Sequence, residues 1–236
     1  MANSAEEIAQ KVYDHIFGAF LQPTNGLQFF KNNIDNFYTP HKVKSALTGK
    51  TLYTSLLTNN RYISQEESRE QAAKHDWIYK KRDIKSLSDL QSMLSNFEFI
   101  QTDRVNSSVN IERSDDIVQC QNIFDSVNFI NSENIAHCNW GWASEYLVGC
   151  TRSGDSTLCA GMTEGVMSSG CFQVYASYKV TNSMYIKNCY DMYECMWCAH
   201  LSGKKYCIAN MQFSKEEYFK LKQKILNWLF PELAKA

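Results

Sequence analysis

The nine cysteines of this 236-residue chain all fall in one register of a three-residue spacing. Chance would place nine residues in a single register on the order of once in several thousand sequences, so we treat the period as a property of the fold. Counted in threes from Val105, the same register runs to Leu201 and continues to the last cysteine. We call these positions the lattice. The cysteines on it are Cys120, Cys138, Cys150, Cys159, Cys171, Cys189, Cys195, Cys198 and Cys207.

The lattice separates an inside from an outside. Between Val105 and Leu201 its positions hold only apolar or small residues, whereas charged residues such as Glu112, Arg113 and Asp125 lie between them. A helix of 3.6 residues per turn cannot keep a three-residue stripe on one face, and a flat strand alternates with a period of two. We therefore expect every third side chain to face a buried interior.

This pattern predicts a single-stranded β-solenoid, or β-helix, over residues 105–210. Stacked coils would satisfy the backbone hydrogen bonds and bury a narrow core. Large and small lattice residues alternate, and the alternation changes phase after Cys150. Coils of twelve and of eighteen residues both fit this period of six. Asparagines between lattice positions suit left-handed corners; they are Asn122, Asn128, Asn134, Asn182 and Asn188.

Helix-start signals flank the solenoid on both sides. Pairs of Ser with Glu or Asp three residues later predict helix N-termini; these are Ser4 with Glu7, Ser64 with Glu67, Ser86 with Asp89, and Ser214 with Glu217. We therefore predict an α+β protein with a mainly helical domain at residues 1–104, the β-solenoid at 105–210 and a C-terminal capping helix at 211–236. The helical flanks would cover the exposed coils at the two ends.

Charge and hydropathy exclude several classes of partner. The formal net charge of −1 and the pI of about 6.5 give no basic field for nucleic acid. No apolar run approaches the roughly 20 residues of a membrane span. The early Glu6 and Glu7 argue against a secretory leader. We expect a cytoplasmic protein with no cofactor, no nucleic-acid partner and no membrane partner, or a virion protein if a phage encodes it.

The cysteines are predicted to be buried free thiols, with disulfides or a metal site as alternatives. Without a leader, an odd number of cysteines does not suggest a secreted disulfide framework, and a buried Cys behaves as a small apolar residue. Cys195, Cys198, His200 and Cys207 supply the ligand types of a zinc site. Because these cysteines continue the lattice, the core explains them without a metal, and we predict none.

The end of the solenoid resembles a known group of repeat proteins. The stretch from Cys195 to Tyr218, which reads CMWCAHLSGKKYCIANMQFSKEEY, is similar to the end of Cys/Ser-rich β-solenoid repeat proteins of phages and candidate-phyla bacteria. Those proteins lack an assigned activity, and the resemblance covers residues 105–222. They often carry a cysteine zinc ribbon before the repeats, whereas this chain has no cysteine before Cys120. The resemblance implies a solenoid and a viral or mobile-element setting, and it implies no catalytic residue.

Aromatic residues outside the lattice are expected to face outward and to form a binding surface. The N-terminal helices of the same chain, another subunit or a ligand such as a glycan would each account for such a surface. The predicted residues are Trp140, Trp142, Tyr146, Tyr175, Tyr178, Tyr185, Tyr190 and Trp197.

The sequence is compatible with three functions, and we predict no catalytic residue from it. The first is a non-enzymatic structural or interaction protein, a rigid solenoid that docks into a larger assembly such as a phage particle, with protein partners or copies of itself. The second is a solenoid acyltransferase that uses His137 or His200 as a general base. The third is a carbohydrate-binding module that uses the aromatic flank.

Overall fold

In the computed structural model, helices precede and follow a β-solenoid of about eight coils, which confirms the predicted α+β fold. The structure describes residues 4–235, apart from 36, 59, 76, 143, 152, 153, 155 and 164–168, and the side chains of 142, 151 and 163 are also not described. The helices are α1 (Ala5–Phe17), α2 (Gly26–Asn33), α3 (Gln65–His75), α4 (Leu87–Leu94) and α5 (Lys215–Leu229), and a 3-10 turn spans Pro231–Leu233.

Short strands make up the N-terminal sheets and the coils. Those before the solenoid are β1 (His41–Lys44), β2 (Thr51–Thr54), β3 (Arg61–Ser64) and β4 (Phe99–Thr102). Those of the first coils are β5 (Val105–Asn106), β6 (Val109–Glu112), β7 (Asp115–Val118), β8 (Gln121–Phe124), β9 (Val127–Ile130), β10 (Glu133–Ala136) and β11 (Asn139–Trp142). The remainder are β12 (Cys150–Thr151), β13 (Met162–Thr163), β14 (Phe172–Tyr175), β15 (Tyr178–Thr181), β16 (Met184–Lys187), β17 (Tyr190–Met196), β18 (Lys205–Ile208) and β19 (Met211–Gln212).

Each coil contains twelve residues. Parallel strands pair residues twelve positions apart, as in Ile117 with Phe129, Val174 with Ile186, and Cys195 with Cys207. The sequence period of six is equally compatible with coils of eighteen residues, and the strand register shows that each coil has twelve. The lattice therefore provides four inward side chains per coil, and identical positions of successive coils stack on one another.

A left-handed backbone residue precedes almost every lattice position. Asn122, Asn128 and Asn134 have φ values of 56°, 63° and 58°, and Asn182 and Asn188 have 48° and 51°. In regular coils whose residues are all described, four such residues redirect the chain once in every triplet. Asparagine adopts this region at lower cost than most residues, so the predicted corner role of these five asparagines is confirmed.

The lattice side chains form the core of the solenoid. Each strand of a regular coil carries a large lattice residue, and small residues lie between the strands, so that a coil contains about two of each. The change of phase after Cys150 moves the large residues to the other two stacks of the coil. The large residues are Ile117, Ile123, Phe129 and Ile135 in earlier coils, and Val174, Val180, Ile186 and Met192 in later ones, all at most 1% exposed.

Small lattice residues also satisfy the backbone inside the coil. The buried hydroxyl of Ser126 donates to the carbonyl of Phe124 at 2.7 Å and accepts the amide of Cys138, one coil later, at 3.1 Å. A lattice cysteine makes the first of these two bonds, the one to the carbonyl two residues earlier. The Cys138 thiol donates to the carbonyl of Ala136 at 3.2 Å. Ser and Cys alternate in the core because both are small and both donate a hydrogen bond.

A second stripe with a period of twelve faces outward and receives the helices. The stripe consists of Phe124, Ala136, Val148, Ala160, Phe172, Met184, Met196 and Ile208, all buried. One of its members, Phe172, lies between α1 and α2. Its ring centroid is 5.2 Å from that of Phe17 and 6.3 Å from that of Phe29. We expected the helical flanks to cover the ends of the solenoid. Instead α1, α2 and α5 pack along its side, because this stripe is apolar in each coil.

The N-terminal region contains strands as well as the predicted helices. β1 pairs antiparallel with β2, and β3 pairs parallel with β4. All four predicted capping pairs are present at helix N-termini. The region joins the first coil through Asp115, which is fully buried and accepts two hydrogen bonds from the Arg104 guanidinium at 3.0 Å.

Replacing Ser126 with alanine removes the buried hydroxyl and leaves the amide of Cys138 and the carbonyl of Phe124 without that partner. We expect the free energy of unfolding to fall by about 1–3 kcal/mol, and Ser126→Cys to lose less because the thiol keeps a donor. Urea denaturation followed by circular dichroism measures the change. The exposed Ser202→Ala is the control; equal stability of Ser126→Ala and wild type would contradict the role of the hydroxyl.

Candidate functional site

The aromatic residues predicted to form one surface lie on several faces of the solenoid. Tyr146 packs against α1, with the Lys11 ammonium 5.2 Å from its ring centroid, so the N-terminal helices cover it. Tyr178 and Tyr190 are directly paired in neighbouring coils and are 38% and 55% exposed. Trp140 is 45% exposed. The side chain of Trp142 lies outside the described residues.

Three of the predicted residues come together in a cleft of about 420 Å³ on the side of the last coils. The rings of Tyr185 and Trp197 stack with centroids 5.0 Å apart and an interplanar angle of 3°. They are twelve residues apart and therefore occupy the same position of adjacent coils. The residues that give the cleft its chemistry are Asp35, Gln173, Tyr175, Tyr185, Lys187 and Trp197. We call this the aromatic cleft.

The segment after α2 supplies one wall of the aromatic cleft. The hydroxyl of Tyr175 donates to the Asp35 carboxylate at 2.8 Å, across 140 residues of sequence. The side-chain amide of Gln173 donates to the carbonyl of Asn33. These contacts fix the exposed carboxylate of Asp35 at the rim. Sequence analysis missed Asp35, Gln173 and Lys187, and no sequence signal links them to the aromatic residues.

The cleft has charged groups of both signs and neutral phenols. Burial raises the pKa of Tyr185 to about 12, and the negative charge of Asp35 adds to the effect. Burial also raises the pKa of Tyr175, as does its hydrogen bond to Asp35. The Lys187 ammonium lies 5.4 Å from the ring centroid of Tyr175. The cleft therefore offers a carboxylate acceptor, an ammonium donor and an aromatic platform within one cavity.

The two histidines considered as general bases have different surroundings. His137 is 8% exposed and lies under Phe37, with ring centroids 4.3 Å apart. Its Nδ1 is 3.2 Å from the carbonyl oxygen of Tyr38, and its Nε2 is 3.7 Å from Asp125. Burial lowers the pKa of His137 and so disfavours its charged form. His200 is exposed on another part of the solenoid.

The cysteines face the interior. All nine are free and buried. Cys195, Cys198 and Cys207 belong to the core of the solenoid, whereas His200 is exposed, so the structure does not bring this set of four together. In the part of the chain that the structure describes, no group of three or more His, Cys, Asp or Glu side chains is placed to hold a metal ion.

An exposed apolar segment before the solenoid is the second candidate surface. We call residues 78–97 the docking segment. The helix α4 within it is amphipathic, but no residue of α4 is buried. Six side chains of the segment are between 40% and 72% exposed: Ile78, Tyr79, Ile84, Leu87, Leu90 and Phe97. Exposure of this kind marks a contact surface when several apolar residues are contiguous.

Comparisons with known proteins find no match among family models, curated proteins or solved structures. What the two surfaces can bind is therefore argued only from the residues that form them. Among the described helices, none has the length and apolar character needed to cross a membrane.

The thiols are expected to be protected from reagents in the folded protein. Burial raises the pKa of Cys171 to about 12 and raises the pKa of Cys159 as well. With Ellman's reagent at pH 8 we expect almost no reaction of the native chain and reaction of all nine thiols in guanidinium.

The same shifts give the sign of a pH effect on stability. A thiol whose pKa is higher in the folded state than its ordinary value of 9.0 ionises more easily after unfolding. Its contribution is complete below about pH 9 and is lost as the pH rises towards the folded pKa. Thermal denaturation from pH 7 to pH 11 measures this. A melting temperature that rises above pH 9, or rapid labelling of native thiols, would contradict the buried placement.

Proposed function

We propose that this chain is a non-enzymatic interaction protein, in which a rigid solenoid carries a docking segment that binds an acidic protein partner within a larger assembly. The observation that carries the proposal is the exposure of the docking segment. Leu87, the first residue of the amphipathic helix α4, is 71% exposed, and Ile78, which precedes that helix in the same segment, is 72% exposed. An amphipathic helix normally buries its apolar face, so this face is suited to a partner.

The charge of the docking segment supports an acidic partner. The segment contains more positive than negative charges. It has four cationic residues, Lys80, Lys81, Arg82 and Lys85, and two carboxylates, those of Asp83 and Asp89. Tyr79 and Phe97 hold the segment together with ring centroids 6.1 Å apart. Around them a groove of about 340 Å³ is lined by Tyr79, Lys80, Arg82, Met93, Asn96 and Phe97. Apolar anchors with a cationic rim fit a protein surface of opposite charge.

The solenoid supplies rigidity and a further exposed face. Coils joined by backbone hydrogen bonds move little when a partner binds, which lowers the entropic cost of association. Tyr178 and Tyr190, which are paired in adjacent coils, offer additional contact area away from α1, α2 and α5. The sequence resemblance supports a phage-encoded particle as the setting, and rigid solenoids suit such an assembly.

The acyltransferase alternative receives less support from the geometry. A general base must come within hydrogen-bond reach of the proton that it removes. His137 is buried and lies under Phe37, with its Nδ1 3.2 Å from the carbonyl oxygen of Tyr38, and the exposed His200 does not line the aromatic cleft. The packing of His137 beside Asp125 accounts for its position without a substrate.

Site-specific photo-crosslinking tests the docking segment. With a photo-reactive phenylalanine analogue in place of Leu87 in the full chain, we expect a crosslink to an acidic protein in the source cell. The same analogue at Trp228, which is 74% exposed on α5, is the matched control and should give no such product. Lys81→Glu combined with Arg82→Glu should reduce the crosslink about tenfold at low salt, because the interaction is electrostatic in part.

Three results would contradict the proposal. The first is the absence of any crosslink from Leu87, and the second is an equal product from Leu87 and Trp228. The third is a crosslink only to a second copy of this chain, accompanied by a dimer in light scattering, which would replace the acidic partner by self-association.

A further inference from the structure

We propose that the aromatic cleft binds a neutral carbohydrate, with a sugar ring stacked on Trp197 and its hydroxyls bonded to the rim. The proposal concerns a different surface from the docking segment and does not depend on it.

The aromatic platform is built into the coil register. Tyr185 and Trp197 occupy equivalent positions of adjacent coils, so their rings are held parallel with centroids 5.0 Å apart. Tyr185 is fixed from its other side by Phe172, edge to face at 5.4 Å. Trp197 remains 38% exposed and is the accessible end of this stack. A flat, rigid and amphipathic ring that needs no rearrangement is an efficient contact for the C–H face of a pyranose.

The rim supplies hydrogen-bonding groups of both kinds. Sugar hydroxyls donate and accept, so a site for them needs acceptors and donors around an apolar surface. Asp35 provides a carboxylate, and Lys187 provides an ammonium group. The Tyr175 hydroxyl donates to Asp35 at 2.8 Å, and the side-chain oxygen of Gln173 lies 3.3 Å from the same hydroxyl, so the rim is held in one arrangement before a ligand arrives.

The size and charge of the cleft favour this ligand class over others. Its volume of about 420 Å³ lies within the range of small-molecule pockets. The Lys187 ammonium beside Tyr175 would repel a quaternary ammonium ligand, although an aromatic cage alone would attract one. The Asp35 carboxylate would repel a phosphate or a nucleic acid strand. An apolar ligand would displace water from the Asp35 carboxylate and the Lys187 ammonium without offering either a hydrogen bond.

Binding of defined oligosaccharides tests the proposal. The probes are cellohexaose, xylohexaose, chitohexaose and maltohexaose, measured by calorimetry and by saturation-transfer NMR with the full chain. We expect at least one of them to bind. Loss of the platform in Trp197→Ala should weaken that binding about tenfold or more, whereas Trp197→Phe should retain part of it because a ring remains. Trp228→Ala is the matched control, since Trp228 is 74% exposed on α5, and it should bind as wild type does.

A substitution at Asp35 tests the rim, and two ligands of other classes, choline and inorganic phosphate, test the specificity of the cleft. Asp35→Asn removes the charge, keeps an acceptor, and should weaken binding less than Trp197→Ala. Circular dichroism and melting temperature establish that each variant is folded. The proposal is overturned if no probe binds at millimolar concentration, if Trp197→Ala binds as wild type does, or if choline or inorganic phosphate binds in the cleft more tightly than every oligosaccharide. Leu87→Ser should leave sugar binding unchanged, which separates this result from any loss of the protein partner.

Discussion

The hydrogen-bonded stacking of twelve-residue coils is the constraint on which the rest of this structure depends. Each coil is too small to bury a core of its own, and it becomes stable only when the next coil accepts its backbone hydrogen bonds. The buried hydroxyl of Ser126 shows how closely backbone and core are joined. It donates to the carbonyl of Phe124 in its own coil and accepts the amide of Cys138 in the next coil. Replacement of small polar lattice residues by purely apolar ones would leave backbone groups unsatisfied.

The same repeat that builds the core also organises the surface. A position outside the lattice recurs on the same face every twelve residues, so a chemical preference at that position becomes a continuous stripe. One such stripe, which includes Phe172, is apolar and holds α1, α2 and α5 against the solenoid. Another places Tyr185 beneath Trp197 and produces a stacked pair without any dedicated loop. A groove assembled in this way is preorganised, because its spacing is set by the backbone.

The two candidate surfaces differ in how they are built. The aromatic cleft lies on the solenoid and contains charges of both signs around stacked rings, which suits a neutral polar ligand. The docking segment lies outside the coils, and its exposed Leu87 and Ile78 lie close in sequence to a group of cations. Under the proposed function, the solenoid is the rigid body and this segment is the separate apolar element that contacts the partner. Neither surface includes the buried His137.

The sequence by itself determined the inside and outside of the solenoid, because charge is absent from every third position and a period of three fits neither a helix nor a flat strand. It also determined the helix starts, since a cap such as Ser4 with Glu7 is a local interaction. Only the tertiary structure decided between twelve and eighteen residues per coil, the placement of the helices on the side, and the strands of the N-terminal region. It alone brought Asp35 to Tyr175, because contacts across 140 residues leave no periodic trace in one sequence.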